Sequence, residues 1–238
     1  MKTVIVIPTY NEAKNIGPLL EAIFHFNKEN LSVLVVDDNS PDGTAKKVEA
    51  LQDTYPVTLI KREGKFGLGS AYRKGFEEAL KMNAELIFEM DADFSHAPED
   101  IPKMILAAQN GADLVVGSRK VEGGKILGWG PLRLLMSNGA MHFSRIILDL
   151  KTKDVTAGFR CFKANTLQSI PLQKIKSNGY AFQEEILFLV EKKNFQVTEV
   201  PVTFNDRTQG KSKLSKKDIV EFFLVMFKLK FTKRKDLL

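Results

Sequence analysis

The sequence contains a single cysteine, Cys161, among its 238 residues. An intramolecular disulfide and a zinc site built on several cysteines are therefore excluded, and a reducing compartment is the simplest setting. Long apolar runs are also missing. No stretch reaches the roughly 20 apolar residues of a membrane-spanning helix, and the opening run VIVIP is only as long as a strand. We therefore expect neither a membrane span nor a secretory signal peptide.

The net charge limits the classes of binding partner but does not single one out. The net charge is +6 and the isoelectric point is near 9.2, which suits nucleic acid, an anionic membrane surface or a phosphorylated substrate. The sequence shows neither interleaved aromatic and basic residues nor a known nucleic-acid-binding motif, so we expect no nucleic-acid partner. The hydrophobic share of 44% and the charged share of 27% are ordinary for a soluble globular protein.

Strand-like and helix-like segments alternate through the first half of the chain. The predicted strands are 4–7, 31–36, 57–60, 86–90 and 113–116, and the predicted helices between and after them are 11–27, 44–52, 70–83 and 97–109. Short connections between such elements favour an α/β fold with a mostly parallel, doubly wound sheet flanked by helices. Further on, the pattern predicts helices at 132–148 and 181–192, an extended segment at 155–162, and an edge strand at 196–204 because Pro201 lies inside it.

Polar residues collect where the predicted parallel strands end, which is where such sheets bind ligands. The segment LIFEMDADFSHAPED places Asp91 and Asp93 directly after a buried strand. Two close carboxylates repel each other unless a cation or a shared proton lies between them, and carboxylate oxygens suit Mg²⁺ or Mn²⁺. A capped loop is the alternative. His96 either completes a metal site or forms only a local hydrogen bond.

The other strand ends and loops offer further candidates, each with a plainer alternative. Asp38 either binds the hydroxyls of a nucleoside or belongs to a capped turn, and the glycine-rich loop 64–70 either contacts a ligand or is a close-packing turn. Glu185, in the segment QEE, either faces an acceptor or lies on a solvated helix face. Basic residues that suit phosphates, or that merely form surface ion pairs, are Arg119, Arg133, Arg207 and Lys213.

Eight segments, in this order, resemble the family 2 glycosyltransferases of the GT-A fold, in particular the polyprenyl-phosphate (dolichol-phosphate) mannose synthases. They are IPTYNE, VVDDNSPDGT, KFGLGSAYRKGF, DADFSHAPE, VVGSR, TAGFRCFKA, GYAFQEE and FNDRTQGKSKL, and they extend over about nine-tenths of the chain. The resemblance implies a Rossmann-like single catalytic domain at residues 1–214, followed by an amphipathic, basic segment at 215–238.

The resemblance also implies the reaction, which is the transfer of mannose from GDP-mannose to a polyprenyl (dolichyl) phosphate with inversion and with Mg²⁺ or Mn²⁺. The implied guanosine pocket consists of Pro8, Tyr10, Glu12, Val36 and Asp38. Asp91, Ala92 and Asp93 would meet the diphosphate, with both aspartates on the metal, and Arg119, Arg207 and Lys213 would bind substrate phosphates. Arg133 and Ser137 would lie near the acceptor phosphate, and Glu185 would orient a sugar hydroxyl. Ser95 stands where some relatives have a metal-binding glutamine.

A lipid acceptor requires a membrane, so we expect a protein on the cytoplasmic face that binds the membrane surface peripherally or through an anchoring subunit. The apolar and basic residues after Ser215 suit an interfacial helix, although a terminal helix packed on the core is the alternative, and Leu127 to Phe143 is a second candidate for lipid contact. The rival functions are a transferase using UDP-glucose, UDP-N-acetylglucosamine or another acceptor, and a non-catalytic nucleotide-binding subunit.

Overall fold

The structure is a computed structural model that describes residues 1–26, 30–175, 177, 179–206 and 216–232; of residues 180 and 216–219 only the backbone is described. The strands are β1 Thr3–Thr9, β2 Leu31–Asp37, β3 Val57–Lys61, β4 Leu86–Glu89, β5 Leu114–Ser118, β6 Lys125–Leu127, β7 Arg160–Lys163, β8 Val197–Pro201 and β9 Thr203–Asn205. The helices are α1 Ile16–Phe26, α2 Thr44–Glu49, α3 Leu68–Lys81, α4 Ile101–Gln109, α5 Pro131–Leu148, α6 Ala164–Ser169, α7 Gly179–Lys192 and α8 Lys216–Phe231.

In the part of the chain that the structure describes, seven strands form one sheet in the order β3-β2-β1-β4-β7-β5-β8. Four neighbouring pairs are parallel, and only β7 runs antiparallel, between β4 and β5. The predicted mostly parallel α/β sheet is therefore confirmed. Helices pack on both of its faces.

Both faces of the sheet are buried, which explains why its central strands are continuous apolar runs. In β1, Val4 and Val6 point into one core, while Ile5 and Ile7 point into the other, and all four side chains are fully buried. The first core is shared with α3, α5, α7 and α8, and the second with α1 and α4. Burial of a Val or Ile side chain stabilises the fold by about 1.5 to 3 kcal/mol, so these four residues make β1 a major contributor to the stability of the sheet.

Two of the predicted extended segments differ in the structure. The segment predicted as one strand, 196–204, is two strands in different sheets: β8 ends at Pro201 and is an edge strand, as predicted, whereas β9 pairs with β6 in a separate two-stranded parallel ribbon. Of the segment 155–162, only the end belongs to β7, where Arg160 lies opposite Glu89 of β4. The bounds of both segments depend on pairing with strands that are distant in the sequence, and local sequence patterns do not predict such pairing.

The helix near the end of the chain, α8, packs on α5 and α7. Its Phe222, Met226 and Leu229 side chains are buried in the core, while Leu224 and Phe231 are exposed. The predicted boundary between residues 214 and 215 lies outside the described residues, so the division into 1–214 and 215–238 stays a prediction. Among the residues described, no helix combines the length and the apolar character required to span a bilayer.

Candidate active site

The carboxyl ends of β1, β2, β4 and β5 meet at one edge of the sheet, because these strands share one direction. This edge carries Tyr10 and Glu12 after β1, Asp38 after β2, Asp91 after β4 and Arg119 after β5. The sequence prediction that polar strand ends gather in one place is therefore confirmed, and the edge is the candidate active site.

A tight turn follows β4 and fixes both aspartates predicted to bind a metal. Asp93 is 9% exposed, and its Oδ1 accepts a hydrogen bond from the Ser95 amide at 3.1 Å. The amide of Asp91 donates to Nδ1 of His96 at 3.1 Å. Phe94 has a φ of 61°, a left-handed conformation that costs a bulky residue about 1 to 2 kcal/mol. The turn is thus held in a strained shape by bonds within the segment.

His96 acts as an anchor of this turn. Its ring is buried and stacks on Phe159 with the centroids 5.0 Å apart. Burial lowers the pKa of His96 to about 4, although the neighbouring Asp93 opposes that shift. The imidazole is therefore neutral at pH 7, with Nδ1 as the acceptor for the Asp91 amide. Of the two roles that the sequence left open for His96, the structure shows the local hydrogen bond.

The Asp91 carboxylate lies between a buried tyrosine and an open position beside a glycine. Tyr72 of α3 donates its hydroxyl to Oδ1 of Asp91 at 3.2 Å. A Cβ atom added to Gly158 would lie 3.8 Å from Oδ2 of Asp91, 3.6 Å from Cε1 of His96 and 3.9 Å from Nε2 of Gln183. A side chain at position 158 would therefore fill the space onto which Asp91, His96 and Gln183 converge.

The donor set at the end of β4 suits a cation that also binds substrate phosphates. The described residues hold no cluster of three or more His, Cys, Asp or Glu side chains able to bind a metal, so an all-protein cage is not present there. Mg²⁺ typically takes one or two carboxylates and completes its shell with water and phosphate oxygens, which Asp91 and Asp93 match. The Ser95 hydroxyl is buried and has no hydrogen-bond partner among the described residues, so it is a possible further oxygen donor.

Asp38, predicted to line a nucleoside pocket, holds a loop of the chain. Its Oδ1 accepts from Arg62 at 2.7 Å, and its Oδ2 accepts from the amides of Phe66 and Gly67 at 3.0 and 3.1 Å. Gly67 has a φ of 91°, which favours glycine at this position. Asp38 thereby shapes the glycine-rich loop that faces Tyr10, where the Lys65 ammonium lies 4.1 Å from the centroid of the Tyr10 ring.

The remaining residues predicted for the nucleoside and diphosphate lie close to the sheet. Pro8 pairs with Val36 in the register of β1 and β2. The side chains of Val36 and Ala92 belong to the core and are 0% and 4% exposed, whereas Pro8 is half-buried. Glu12 begins the connection to α1, where its carboxylate accepts from the Asn15 amide group at 2.9 Å.

Of the three arginines predicted to bind phosphates, the two that the structure describes are each paired with an acidic residue. Arg119 is 9% exposed and forms a two-pronged ion pair with the buried Asp154, at 2.6 and 2.7 Å. Arg133 of α5 bonds Asp206 at 2.9 Å and lies 4.1 Å from the centroid of Trp129. Ser137 follows one turn later on α5 and is half-buried. Arg207 and Lys213, the other two predicted phosphate ligands, lie outside the described residues.

Comparison with known proteins identifies the family. The family model described as "Glycosyl transferase family 2" matches residues 4–170, which is more than half of the chain. The chain belongs to this family. The enzyme is thus a glycosyltransferase, as the sequence motifs predicted.

Two curated relatives of this glycosyltransferase align with most of its length. It is 41% identical to a polyprenol monophosphomannose synthase from Mycolicibacterium smegmatis, over 96% of this chain and 85% of that protein. It is also 41% identical to an undecaprenyl-phosphate mannosyltransferase from Micrococcus luteus, over 90% of this chain and 88% of that protein. Among solved structures, glucosyl-3-phosphoglycerate synthase from Mycobacterium tuberculosis, in complex with Mn²⁺, UDP-glucose and phosphoglyceric acid, has a TM-score of 0.68 at 17% identity, over 95% of this chain and 80% of that one. That likeness shows the shared fold.

The three side chains of the QEE segment of the glycosyltransferase, residues 183–185, have different surroundings. Gln183 approaches the space beside Gly158, as described above. Glu184 is fully buried and accepts from the Ser144 hydroxyl at 2.7 Å. Glu185, the residue predicted to orient a sugar, accepts a hydrogen bond from Ser177, and burial raises its pKa. Gln183 and Asp91 thus border the same space beside Gly158.

Several residues of the site carry no local sequence signal. Tyr72 belongs to the apolar face of a helix, and nothing in the pattern of α3 marks its hydroxyl. Asp154, the partner of Arg119, lies 35 residues away from it in the sequence. Two more carboxyls, Glu89 and Glu184, lie buried near the Arg160 guanidinium, and burial raises the pKa of each to about 8 despite that arginine. Only the fold reveals these neighbours.

Proposed function

We propose that this glycosyltransferase transfers mannose from GDP-mannose to a polyprenyl (dolichyl) phosphate, with inversion at the anomeric carbon and with Mg²⁺ or Mn²⁺. The observation that carries the proposal is the 41% identity to two mannosyltransferases, one named for polyprenol and one for undecaprenyl phosphate, over at least 90% of this chain. The paired aspartates at the end of β4 support it, because a sugar nucleotide brings a diphosphate that must be neutralised as it leaves.

In this proposal Asp91 and Asp93 hold the divalent cation against the diphosphate, with Ser95 as a further oxygen donor. The bound cation supplies electrostatic stabilisation of the departing diphosphate. Ala92 lies between the two aspartates at the diphosphate. The guanosine occupies the neighbouring strand ends, against residues of β1, β2 and their loops, namely Pro8, Tyr10, Glu12, Val36 and Asp38.

The acceptor is a phosphate that is already ionised at pH 7, so its oxygen attacks without needing a strong general base. The task of the protein is to hold two anionic groups together despite their repulsion. Basic residues on the acceptor side offset that repulsion, with Ser137 and Glu185 orienting acceptor and sugar. These basic residues are Arg119, Arg133, Arg207 and Lys213.

A panel of donors and acceptors tests the proposal. The purified protein is incubated with GDP-mannose, UDP-glucose or UDP-N-acetylglucosamine, each with undecaprenyl phosphate, dolichyl phosphate or 3-phosphoglycerate. We expect product only from GDP-mannose with the lipid phosphates, and none after addition of a chelator. Transfer from a UDP-sugar, or to 3-phosphoglycerate alone, would replace this proposal with one of its rivals. No transfer in any arm, together with nucleotide binding, would indicate a non-catalytic subunit.

The same proposal includes peripheral association with the cytoplasmic face of a membrane, either directly or through an anchoring subunit. Helices α5 and α8 lie side by side, with Phe143 of α5 against Phe223 of α8 at 5.2 Å between ring centroids. Their outer sides expose large apolar side chains; these residues, which we call the α5–α8 surface, are Leu132, Leu135, Met136, Ile146, Val220, Phe223, Leu224, Phe227 and Phe231. Apolar residues flanked by Lys228 and Lys230 suit an anionic lipid interface.

Sedimentation with vesicles tests this association. We expect the protein to sediment with vesicles containing 30% anionic lipid, and the double variant Leu135→Glu/Leu224→Glu to lose most of that binding. Leu106→Glu is the matched control, because Leu106 is 55% exposed on α4, outside the α5–α8 surface. Equal binding by the double variant and by the control would contradict direct association and leave recruitment by a separate subunit.

A further inference from the structure

Tyr72 places a hydroxyl group inside the core, where it meets the first aspartate of the site. The residue is fully buried on α3, and its ring stacks on Phe182 with centroids 6.0 Å apart and on Phe76 with centroids 5.9 Å apart. Phenylalanine would provide the same ring contacts. What distinguishes tyrosine here is its hydroxyl, which donates to Oδ1 of Asp91 at 3.2 Å.

A buried tyrosine needs some hydrogen-bond partner, so a purely structural hydroxyl is the plain alternative. The surroundings of Asp91 argue for more than that. Asp91 is half-buried, and its main chain is already fixed by the bond from its amide to His96. The Tyr72 bond fixes the side chain as well, and it engages Oδ1, while Oδ2 lies toward the space beside Gly158. The turn after β4 therefore fixes the main chain of Asp91, and helix α3 fixes its side chain.

We propose that Tyr72 is a positioning residue, whose hydroxyl holds Asp91 in the orientation that presents its other oxygen to the divalent cation and the diphosphate. The inference rests on the proposed function, since it assigns a role at the same site. Partners that orient a metal ligand from behind typically matter by a factor of 10 to 100 in metal affinity. A single neutral donor falls at the lower end of that range.

The variant Tyr72→Phe removes only the hydroxyl, and Tyr55→Phe is its matched control. Tyr55 stacks on Phe24 on the opposite side of the sheet, in the core formed with α1, so its loss of a hydroxyl leaves the site untouched. The measurement is calorimetric titration of Mn²⁺ into protein saturated with GDP, followed by titration of GDP in the presence of a chelator. Metal dependence of turnover gives an independent second readout.

We expect Tyr72→Phe to weaken Mn²⁺ binding about tenfold, to raise the metal concentration needed for half-maximal turnover by a similar factor, and to leave metal-free GDP binding within about twofold of the wild type. Tyr55→Phe should bind both as the wild type does. Unchanged Mn²⁺ affinity in Tyr72→Phe would overturn the inference, and so would an equal loss of metal-free GDP binding, which would indicate a structural role. A wild-type protein that binds GDP but no Mn²⁺ would instead overturn the metal dependence in the proposed function, and this inference with it.

Discussion

The carboxyl ends of β2 and β4 each carry two aspartates, but the two pairs have different hydrogen-bond partners. At the end of β2, Asp37 accepts from Thr9 at 2.8 Å and from Ser40 at 2.6 Å, while Asp38 accepts from Arg62 and from two amides of the glycine-rich loop. At the end of β4, Asp91 accepts from a phenol and Asp93 from an amide of its own turn.

The same sequence signal, two aspartates at the end of a strand, therefore serves two purposes in this molecule. In the β2 pair, Asp38 forms an ion pair with the largely buried Arg62 and accepts from two loop amides, while Asp37 accepts from the Thr9 and Ser40 hydroxyls. Both side chains therefore serve to fix the walls of the site. In the β4 pair, Tyr72 and the Ser95 amide are neutral donors, which direct a carboxylate without forming an ion pair with it. Carboxylates arranged in this way suit a cation that arrives with the substrate. Substitutions at the two strand ends should therefore have different consequences.

The largest effect is expected at the β4 end. Asp93→Asn keeps the size of the side chain and an oxygen for the Ser95 amide, but it removes the charge that a cation needs. We expect turnover to fall by at least about 10³-fold, with a melting temperature within about 2 °C of the wild type. Radiolabelled mannose transfer and thermal unfolding measure the two quantities. Turnover within tenfold of the wild type would contradict the idea that the β4 pair, unlike the β2 pair, binds a cation.

At the β2 end, the same change should act mainly on stability. Asp38→Asn removes the charge that faces Arg62, in a pair whose side chains are only 11% and 7% exposed. We expect a loss of about 2 kcal/mol in the free energy of unfolding, which lowers the melting temperature by about 4 to 8 °C. Turnover should fall by about tenfold at most, because the change loosens the loop and leaves Asp91 and Asp93, the proposed metal ligands, in place. A larger loss of turnover than in Asp93→Asn would reverse the comparison.

A double-mutant cycle sharpens the assignment of Asp38 to the loop. Arg62→Gln and Asp38→Asn remove the two halves of one ion pair, so their effects on the free energy of unfolding should not add. We expect a coupling energy of about 1 to 2 kcal/mol, measured by chemical denaturation of the two single variants and the double variant. Additive effects would show that Asp38 acts through other partners.

A further prediction concerns a carboxyl that belongs to neither strand-end pair and whose replacement should affect turnover at pH 7 least. Burial raises the pKa of Glu184 to about 8, so the native state keeps a proton that the unfolded chain releases near its ordinary pKa. The protonated Glu184 therefore stabilises the native state relative to the unfolded chain at low pH, and this contribution is lost as the pH rises toward 8. We expect Glu184→Gln to flatten the pH dependence of unfolding free energy between pH 5 and 8 by about 1 kcal/mol per pH unit.

The control for that change is the exposed Glu21 on α1. Glu21→Gln should leave the pH dependence as in the wild type. If both variants keep the wild-type slope, Glu184 does not retain its proton in the native state.

The sequence was sufficient where the signal is local. The apolar runs of β1, β2 and β4 and the polar residues after them predicted both the parallel sheet and the edge at which Asp38, Asp91 and Arg119 gather. The continuous runs are readable because both faces of these strands are buried. The order of the motifs also predicted the family, and the comparisons confirmed it.

What the sequence could not give depends on contacts between distant segments. The antiparallel insertion of β7, which sets Arg160 opposite Glu89, follows from pairing across more than 70 residues. The same holds for the bond from Tyr72 to Asp91 and for the ion pair of Arg119 with Asp154, since each partner alone is an ordinary helix or loop residue. Asp38 shows the converse, because its local signal is clear, whereas its bonds to the glycine-rich loop emerge only from the fold.

The most direct test compares Mn²⁺ binding by the wild type, Asp38→Asn and Asp93→Asn, each saturated with GDP, by calorimetry at pH 7. If the β4 pair holds the cation and the β2 pair holds the loop, the wild type and Asp38→Asn bind Mn²⁺ with affinities within a few-fold of each other, and Asp93→Asn shows no binding. Wild-type Mn²⁺ affinity in Asp93→Asn would contradict the assignment of the metal site to Asp91 and Asp93.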